Sequence, residues 1–215
     1  MTEARHTALA RFAEPLFARE PELWQKRRAF GETLRPGLQM TAYEGALVAW
    51  LLKLHGARHV LEIGSFVGVS ALWLASALPE DGSVTSIERA QDYAVHAQDT
   101  MRMAAESRVT IMQADAADFL RDTTRIFDAV FLDGEKKTYP EMLEAALPRL
   151  REGAMIVADN TLLFGALLGE EPRARASDVA RTGMERFHRM LAEDARFDSM
   201  LLPTGEGLSV AVYKG

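Results

Sequence analysis

The sequence predicts a doubly wound α/β fold in which a mostly parallel sheet carries helices on both faces. Three observations lead there. Short apolar runs recur between longer stretches at helical spacing, the first of them ends in a glycine-bearing turn, and the last two follow each other directly. Alternating strands and helices imply parallel strands joined by crossovers; two adjacent runs across a short turn imply an antiparallel pair.

Taken in order, residues 5 to 35 mix charged positions with Phe12, Leu16, Phe17, Leu23 and Trp24, and Pro15 and Pro21 break them into short helices. Thr41 and Glu44 form a capping box that opens a helix running through Leu54. His59 to Ile63, Ser83 to Ile87, Val109 to Met112, Phe127 to Leu132 and Ala154 to Ala158 read as parallel strands. A helix from Ser177 to Asp194 precedes Phe197 to Leu202 and Leu208 to Tyr213, which flank Pro203-Thr204-Gly205-Glu206-Gly207 as a terminal hairpin. The expected architecture is thus a Rossmann-like, doubly wound, seven-stranded and mostly parallel sheet, with one antiparallel strand in a C-terminal hairpin. Gly165 to Ala176, with Gly169, Pro172 and four charged residues, is expected to form a lid.

Composition narrows the function. The chain of 215 residues is 48% hydrophobic and 26% charged, which fits one continuous core. Without cysteine there are no disulfides, thiolate nucleophiles or cysteine zinc sites, so any metal falls to oxygen or imidazole ligands, and the five histidines show no paired spacing. A net charge of -6 offers no broad positive field for nucleic acid and favours a small-molecule substrate. Apolar runs such as Ala46 to Leu52 fall far short of the ~20 residues that cross a bilayer, and Glu3, Arg5 and His6 stand where a signal peptide would be apolar. A cytoplasmic protein with no membrane partner is expected.

Val60 to Ser70 reads as a strand, a turn bearing Gly64 and Gly68, and the start of the helix Ala71 to Leu78, with Glu62 near the carboxyl end of the strand. Such a first turn faces the ligand crevice of a doubly wound sheet, and glycine lets backbone approach the ligand. The spacing is GxxxG, and the pyrophosphate fingerprint GxGxxG is absent. Glu88 ends the next strand, about twenty residues further on, where a carboxylate can accept hydrogen bonds from a ribose diol. Ribose without pyrophosphate points to S-adenosylmethionine. Taken singly, each feature is an ordinary turn or strand end; their register carries the reading.

The fourth strand ends at Asp133 and the fifth at Asp159-Asn160. Parallel strands end at one edge, so two carboxylates and an amide oxygen converge there as a hard, incomplete octahedron suited to Mg2+. Lys136 follows Asp133 by three residues, within reach of a reacting hydroxyl, and Tyr139 comes one turn later as packing or a pocket wall.

These residues resemble the metal-dependent O-methyltransferases that include catechol and caffeoyl-CoA O-methyltransferases. The resemblance covers Met40 to the C-terminus and is most specific at Leu61-Glu62-Ile63-Gly64, Asp133 to Tyr139, Asp159-Asn160 and Leu202 to Gly207. It implies cofactor contacts at Met40, Glu62, Gly64, Ser65, Ser70, Glu88, Asp115, Ala116 and Asp133, with Ser70 near the methionine carboxylate and Ala116 near the adenine. It implies metal ligands Asp133, Asp159 and Asn160, and catalytic roles for Lys136 and Asp133, the lysine deprotonating or orienting the hydroxyl. It divides the chain into residues 1–40, a helical segment serving the acceptor pocket or a dimer contact, and a methyltransferase domain over 41–215; a homodimer is expected.

Three departures concern the acceptor. Thr161-Leu162-Leu163-Phe164 stands where the family often has a Trp, Glu135 replaces a usual Asp, and Ala105 to Arg108 is shortened and lacks its usual glycine. Two rival readings are an NAD-linked oxidoreductase, weakened by the missing GxGxxG, and a noncatalytic scaffold, weakened by Asp133, Lys136, Asp159 and Asn160 all being present.

Overall fold

The capping box at Thr41 forms as the sequence predicts, with the Thr41 hydroxyl accepting from the Glu44 amide and the Glu44 carboxylate accepting from the Thr41 amide. The computed structural model describes residues 11–169 and 177–215. The expected lid over Gly165 to Ala176 therefore falls, from residue 170 on, outside the described residues, as do residues 1–10.

Among the described residues seven strands, β1 (His59–Ile63), β2 (Ser83–Glu88), β3 (Val109–Gln113), β4 (Phe127–Leu132), β5 (Leu150–Ala158), β6 (Phe197–Leu202) and β7 (Leu208–Tyr213), make one mixed sheet in the order β3-β2-β1-β4-β5-β7-β6. The chain divides into two compact units at Asp115/Ala116.

The first unit begins with α1, described over residues 11–17, and α2 (Glu22–Leu34). Pro21 occupies the N-cap of α2, where its fixed φ costs nothing. Helix α3 (Ala42–His55) ends at Gly56 in the left-handed conformation. Strands β1 (His59–Ile63), β2 (Ser83–Glu88) and β3 (Val109–Gln113) pair in parallel, Ile63 beside Ile87 and Glu88 beside Gln113. Helices α4 (Val69–Ala77) and α5 (Gln91–Ala104) make the crossovers. At the end of α5 the missing glycine has a visible consequence, since Ala105 itself takes φ 52° as the C-cap.

The second unit holds α6 (Ala116–Asp122), β4 (Phe127–Leu132), a 3-10 turn (Lys136–Thr138), α7 (Tyr139–Ala146), β5 (Leu150–Ala158), α8 (Asp178–Glu193), β6 (Phe197–Leu202) and β7 (Leu208–Tyr213). Strands β4 and β5 are parallel, with Leu132 beside Ala158, while β7 runs antiparallel to β5 and β6. Strand β5 starts at Leu150, four residues before the expected Ala154, and a register shift between Phe127 and Ala129 accommodates Gly153 at φ 77°. The register of β4 and β5 is what matters for function: it sets Asp133 and Asp159 at the same level, just past two neighbouring strands.

Candidate active site

In the first unit the glycine turn is built by backbone conformations that only glycine adopts freely. Gly64 has φ 103° and Gly68 φ 85°. A Cβ on Gly68 would stand 3.0 Å from Met101 Cε and 3.2 Å from Ala97 Cα of α5, so the position also needs the space. The Gly68 amide closes the turn on the Ser65 carbonyl at 2.7 Å. Between them Phe66 is held at φ 47°, its ring edge-on to Tyr93 at 4.8 Å.

Two carboxylates brace this turn. Glu62, fully buried, accepts from the Ser86 hydroxyl, which meets the Ser65 hydroxyl at 2.5 Å. The half-buried Glu88 accepts three backbone amides, from Ser65 (3.2 Å), Phe66 (3.0 Å) and Ala90 (2.8 Å). A carboxylate offers about four acceptor positions. Glu88 is therefore chiefly a clamp on the turn, with less capacity for a ribose diol than its place in the sequence implies. Glu62, Gly64, Ser65 and Glu88 come together here. Ser70 lies in the first turn of α4, Met40 is buried with its carbonyl bonded to Arg28, Asp115 is exposed, and Ala116 opens α6 half-buried.

In the second unit the ends of β4 and β5 are tied by the Asp159 amide, which donates to the Leu132 carbonyl at 3.0 Å. The fully buried Asp159 carboxylate accepts from the Asn160 amide at 2.8 Å, and Asn160 is held at φ 53°. Thr161, also buried, engages all its polar groups: its amide and hydroxyl reach the Gly207 carbonyl at 3.0 and 3.2 Å, Ser209 donates to its hydroxyl at 2.9 Å, and His188 meets its carbonyl at 2.8 Å. Beyond it, Leu163 and Phe164 both take φ 54° where the family's Trp is absent. Gly207 makes that turn possible, because a Cβ there would come within 2.5 Å of Leu162.

Lys136 Nζ lies 3.0 Å from Asp133 Oδ1 and 2.6 Å from the Tyr139 hydroxyl. Gly183 of α8 seats the 3-10 turn that carries the lysine, since a Cβ there would stand 2.7 Å from the Lys137 carbonyl. Burial alone would lower the Lys136 pKa, but Tyr139, Asp133 and Asp159 outweigh it and raise it above the usual lysine value. Burial, with the Asp133 and Asp159 charges, raises the Tyr139 phenol against the pull of Lys136. An ammonium thus donates to a neutral phenol, whose single proton is shared between the carbonyls of Leu132 (2.8 Å) and Asp159 (3.1 Å). Tyr139 is no mere wall: its hydroxyl spans both strand ends that bear acidic candidates, a role that sequence spacing does not reveal.

The candidate metal ligands are two carboxylates and an amide. Among the described residues no group of three or more His, Cys, Asp or Glu side chains is placed to hold a metal. The donor set Asp133, Asp159 and Asn160 is nevertheless all oxygen, the chemistry that suits a hard cation keeping open positions for water and substrate.

The first unit thus carries a glycine turn after β1 with a carboxylate ending β2, and the second an Asp-Lys-Tyr-Asp cluster past β4 and β5. The O-methyltransferase family model matches residues 18–214, and the chain belongs to that family. It is similar to a catechol O-methyltransferase from Niastella koreensis, 30% identical over 86% of this chain and 87% of the relative. It is also 30% identical to a caffeoyl-CoA O-methyltransferase from Populus kitakamiensis, over 81% of this chain and 77% of that one. Among solved structures, the O-methyltransferase TomG from Streptomyces achromogenes, involved in tomaymycin synthesis and in complex with S-adenosylmethionine, superposes with a TM-score of 0.86 at 32% identity, covering 100% of both chains.

Proposed function

We propose that this O-methyltransferase moves the methyl group of S-adenosylmethionine to a hydroxyl of a small, catechol-like aromatic or natural-product acceptor, with help from Mg2+ or another divalent cation. The observation that carries the reading is the Asp133–Lys136–Tyr139 chain anchored to the buried Asp159 at adjacent strand ends. Met40, Glu62, Gly64, Ser65, Ser70, Glu88, Asp115, Ala116 and Asp133 serve the cofactor; Asp133, Asp159 and Asn160 hold the metal; Lys136 and Asp133 act on the hydroxyl. A bound divalent cation lowers the pKa of a ligated phenol and fixes its oxygen for in-line attack. Lys136, an ammonium that already donates to Asp133 and Tyr139, would orient that oxygen. The names of the Niastella and Populus relatives support a hydroxylated aromatic acceptor, and the cofactor bound to TomG supports S-adenosylmethionine.

Neither rival reading is favoured: the family match gives no support to nicotinamide chemistry, and the Lys136 cluster is more than a scaffold needs. We also propose a homodimer, supported by Phe12, Leu16 and Phe17 standing exposed on α1, with residues 1–40 serving that contact or the acceptor pocket. No described helix is long and apolar enough to cross a membrane; a cytoplasmic site of action, with no nucleic-acid or membrane partner, is our reading.

Calorimetry should show that the intact protein binds S-adenosylmethionine, and Glu88→Ala should weaken binding by about 1.5 to 3 kcal/mol. Part of that loss comes from the three amides left without their clamp, so Glu88→Gln, which keeps one acceptor oxygen, should lose less. No binding by the intact protein would remove the cofactor reading.

A further inference from the structure

The most unexpected feature of the first unit is a part-buried ion pair away from the glycine turn. The Glu20 carboxylate, 4% exposed, accepts from Arg28 Nε at 2.9 Å and Arg28 Nη2 at 2.5 Å, and from Trp73 Nε1 at 2.9 Å. Burying such a pair is no more stabilising than an apolar pair of the same volume, so its value lies in what it holds in place. Arg28 Nη1 donates to the Met40 carbonyl, and the Arg28 carbonyl accepts from Gln39 Nε2 at 2.9 Å. Trp73 belongs to α4, the helix whose N-cap is Gly68. It is pressed edge-on by Trp24 at 5.2 Å and backed by Gly45 of α3, where a Cβ would come within 2.4 Å of its ring.

The neighbouring residue on α2 reaches the turn through one side chain of α5. Arg27 Nε donates to the buried Thr100 hydroxyl at 2.7 Å, and Arg27 Nη2 to the His96 carbonyl at 3.0 Å. A hydroxyl has one proton. The Thr100 hydroxyl lies 3.0 Å from the His96 carbonyl and 2.6 Å from the Val67 carbonyl, inside the Gly64–Gly68 turn, and the shorter contact takes the proton.

We infer that Arg27 and Arg28 of α2 are positioning residues for the cofactor: one fixes the glycine turn through Thr100, the other fixes Met40 and, through Glu20 and Trp73, the helix that begins at that turn. This rests on the cofactor reading above and extends it to the N-terminal helices, whose composition assigns them no role.

The test is a calorimetric titration with S-adenosylmethionine, beside thermal unfolding of the ligand-free protein, for Arg28→Met, Arg27→Met and the double variant Glu20→Gln/Arg28→Met. Arg28→Met should lose about tenfold in affinity and unfold at a lower temperature, because Glu20 is left as a lone buried charge. The double variant removes that charge and keeps an acceptor for Trp73, so it should regain most of the unfolding temperature. It should not regain the affinity, since the Met40 carbonyl still lacks its donor. The KM for S-adenosylmethionine should rise in both, with kcat at saturation close to the intact enzyme's. Arg27→Met, acting through one hydroxyl, should lose about threefold. Affinity that recovers together with stability in the double variant, or full affinity in Arg28→Met and Arg27→Met, would overturn the brace while leaving the cofactor reading intact. Failure of the unsubstituted protein to bind would overturn both.

Discussion

Asp159→Ala is expected to lower methyl-transfer turnover at least about 100-fold while changing S-adenosylmethionine affinity little. The fully buried carboxylate sits where β5 ends, oriented by the Asn160 amide, while its backbone is pinned to Leu132 and Tyr139. Alanine keeps those backbone bonds and removes the carboxylate, and with it an oxygen donor to the proposed metal, the acceptor of the Asn160 backbone amide and a charge that acts on Lys136. The cost to the fold is the unmet Asn160 amide, about 1 to 3 kcal/mol, which thermal unfolding will register separately. Asp133→Ala should show the same loss of turnover with a clear loss of cofactor affinity, because Asp133 is assigned to both ligands. Steady-state rates at saturating Mg2+, together with calorimetry, separate these outcomes; undiminished turnover in Asp159→Ala would remove it from the metal site.

Lys136→Ala is expected to reduce kcat by about 10²- to 10⁴-fold with a much smaller rise in acceptor KM. Its Nζ is fixed between Asp133 Oδ1 at 3.0 Å and the Tyr139 hydroxyl at 2.6 Å, so its direction is set before any acceptor arrives. On the proposed reading a group placed in this way orients the reacting oxygen and contributes little to ground-state binding. Lys136→Arg should rescue poorly, because a planar fork cannot reproduce the compact ammonium between those two oxygens. A rise in KM with kcat unchanged would assign Lys136 to acceptor binding alone.

The strands that position these groups were legible because their apolar runs are bounded by polar residues, and β1, β4, β6 and β7 match the sequence reading residue for residue. The early start of β5 was hidden by Arg151, Glu152 and Gly153, which read as a loop and are accommodated by the shift in register. The capping box at Thr41 was legible because both its partners lie within four residues. What stayed hidden depends on contacts distant in sequence. The clamp of Glu88 on the turn, the reach of Tyr139 to the carbonyl of Asp159 and the grip of Arg28 on Met40 each join segments that no spacing rule connects. The left-handed run at Leu163 and Phe164 is likewise set from outside, by Gly207 and the Thr161 network.

The reaction itself is tested most directly by methyl transfer from labelled S-adenosylmethionine to a matched pair, a catechol and the monophenol on the same skeleton, each with Mg2+ and after chelation. Asp133, Asp159 and Asn160 would hold the proposed cation, and a cation there would favour an acceptor with two adjacent hydroxyls over one with a single hydroxyl. The account predicts transfer that requires the divalent cation and is faster to the catechol in turnover as well as in binding. Full activity after exhaustive chelation, or equal rates on the two acceptors, would contradict it.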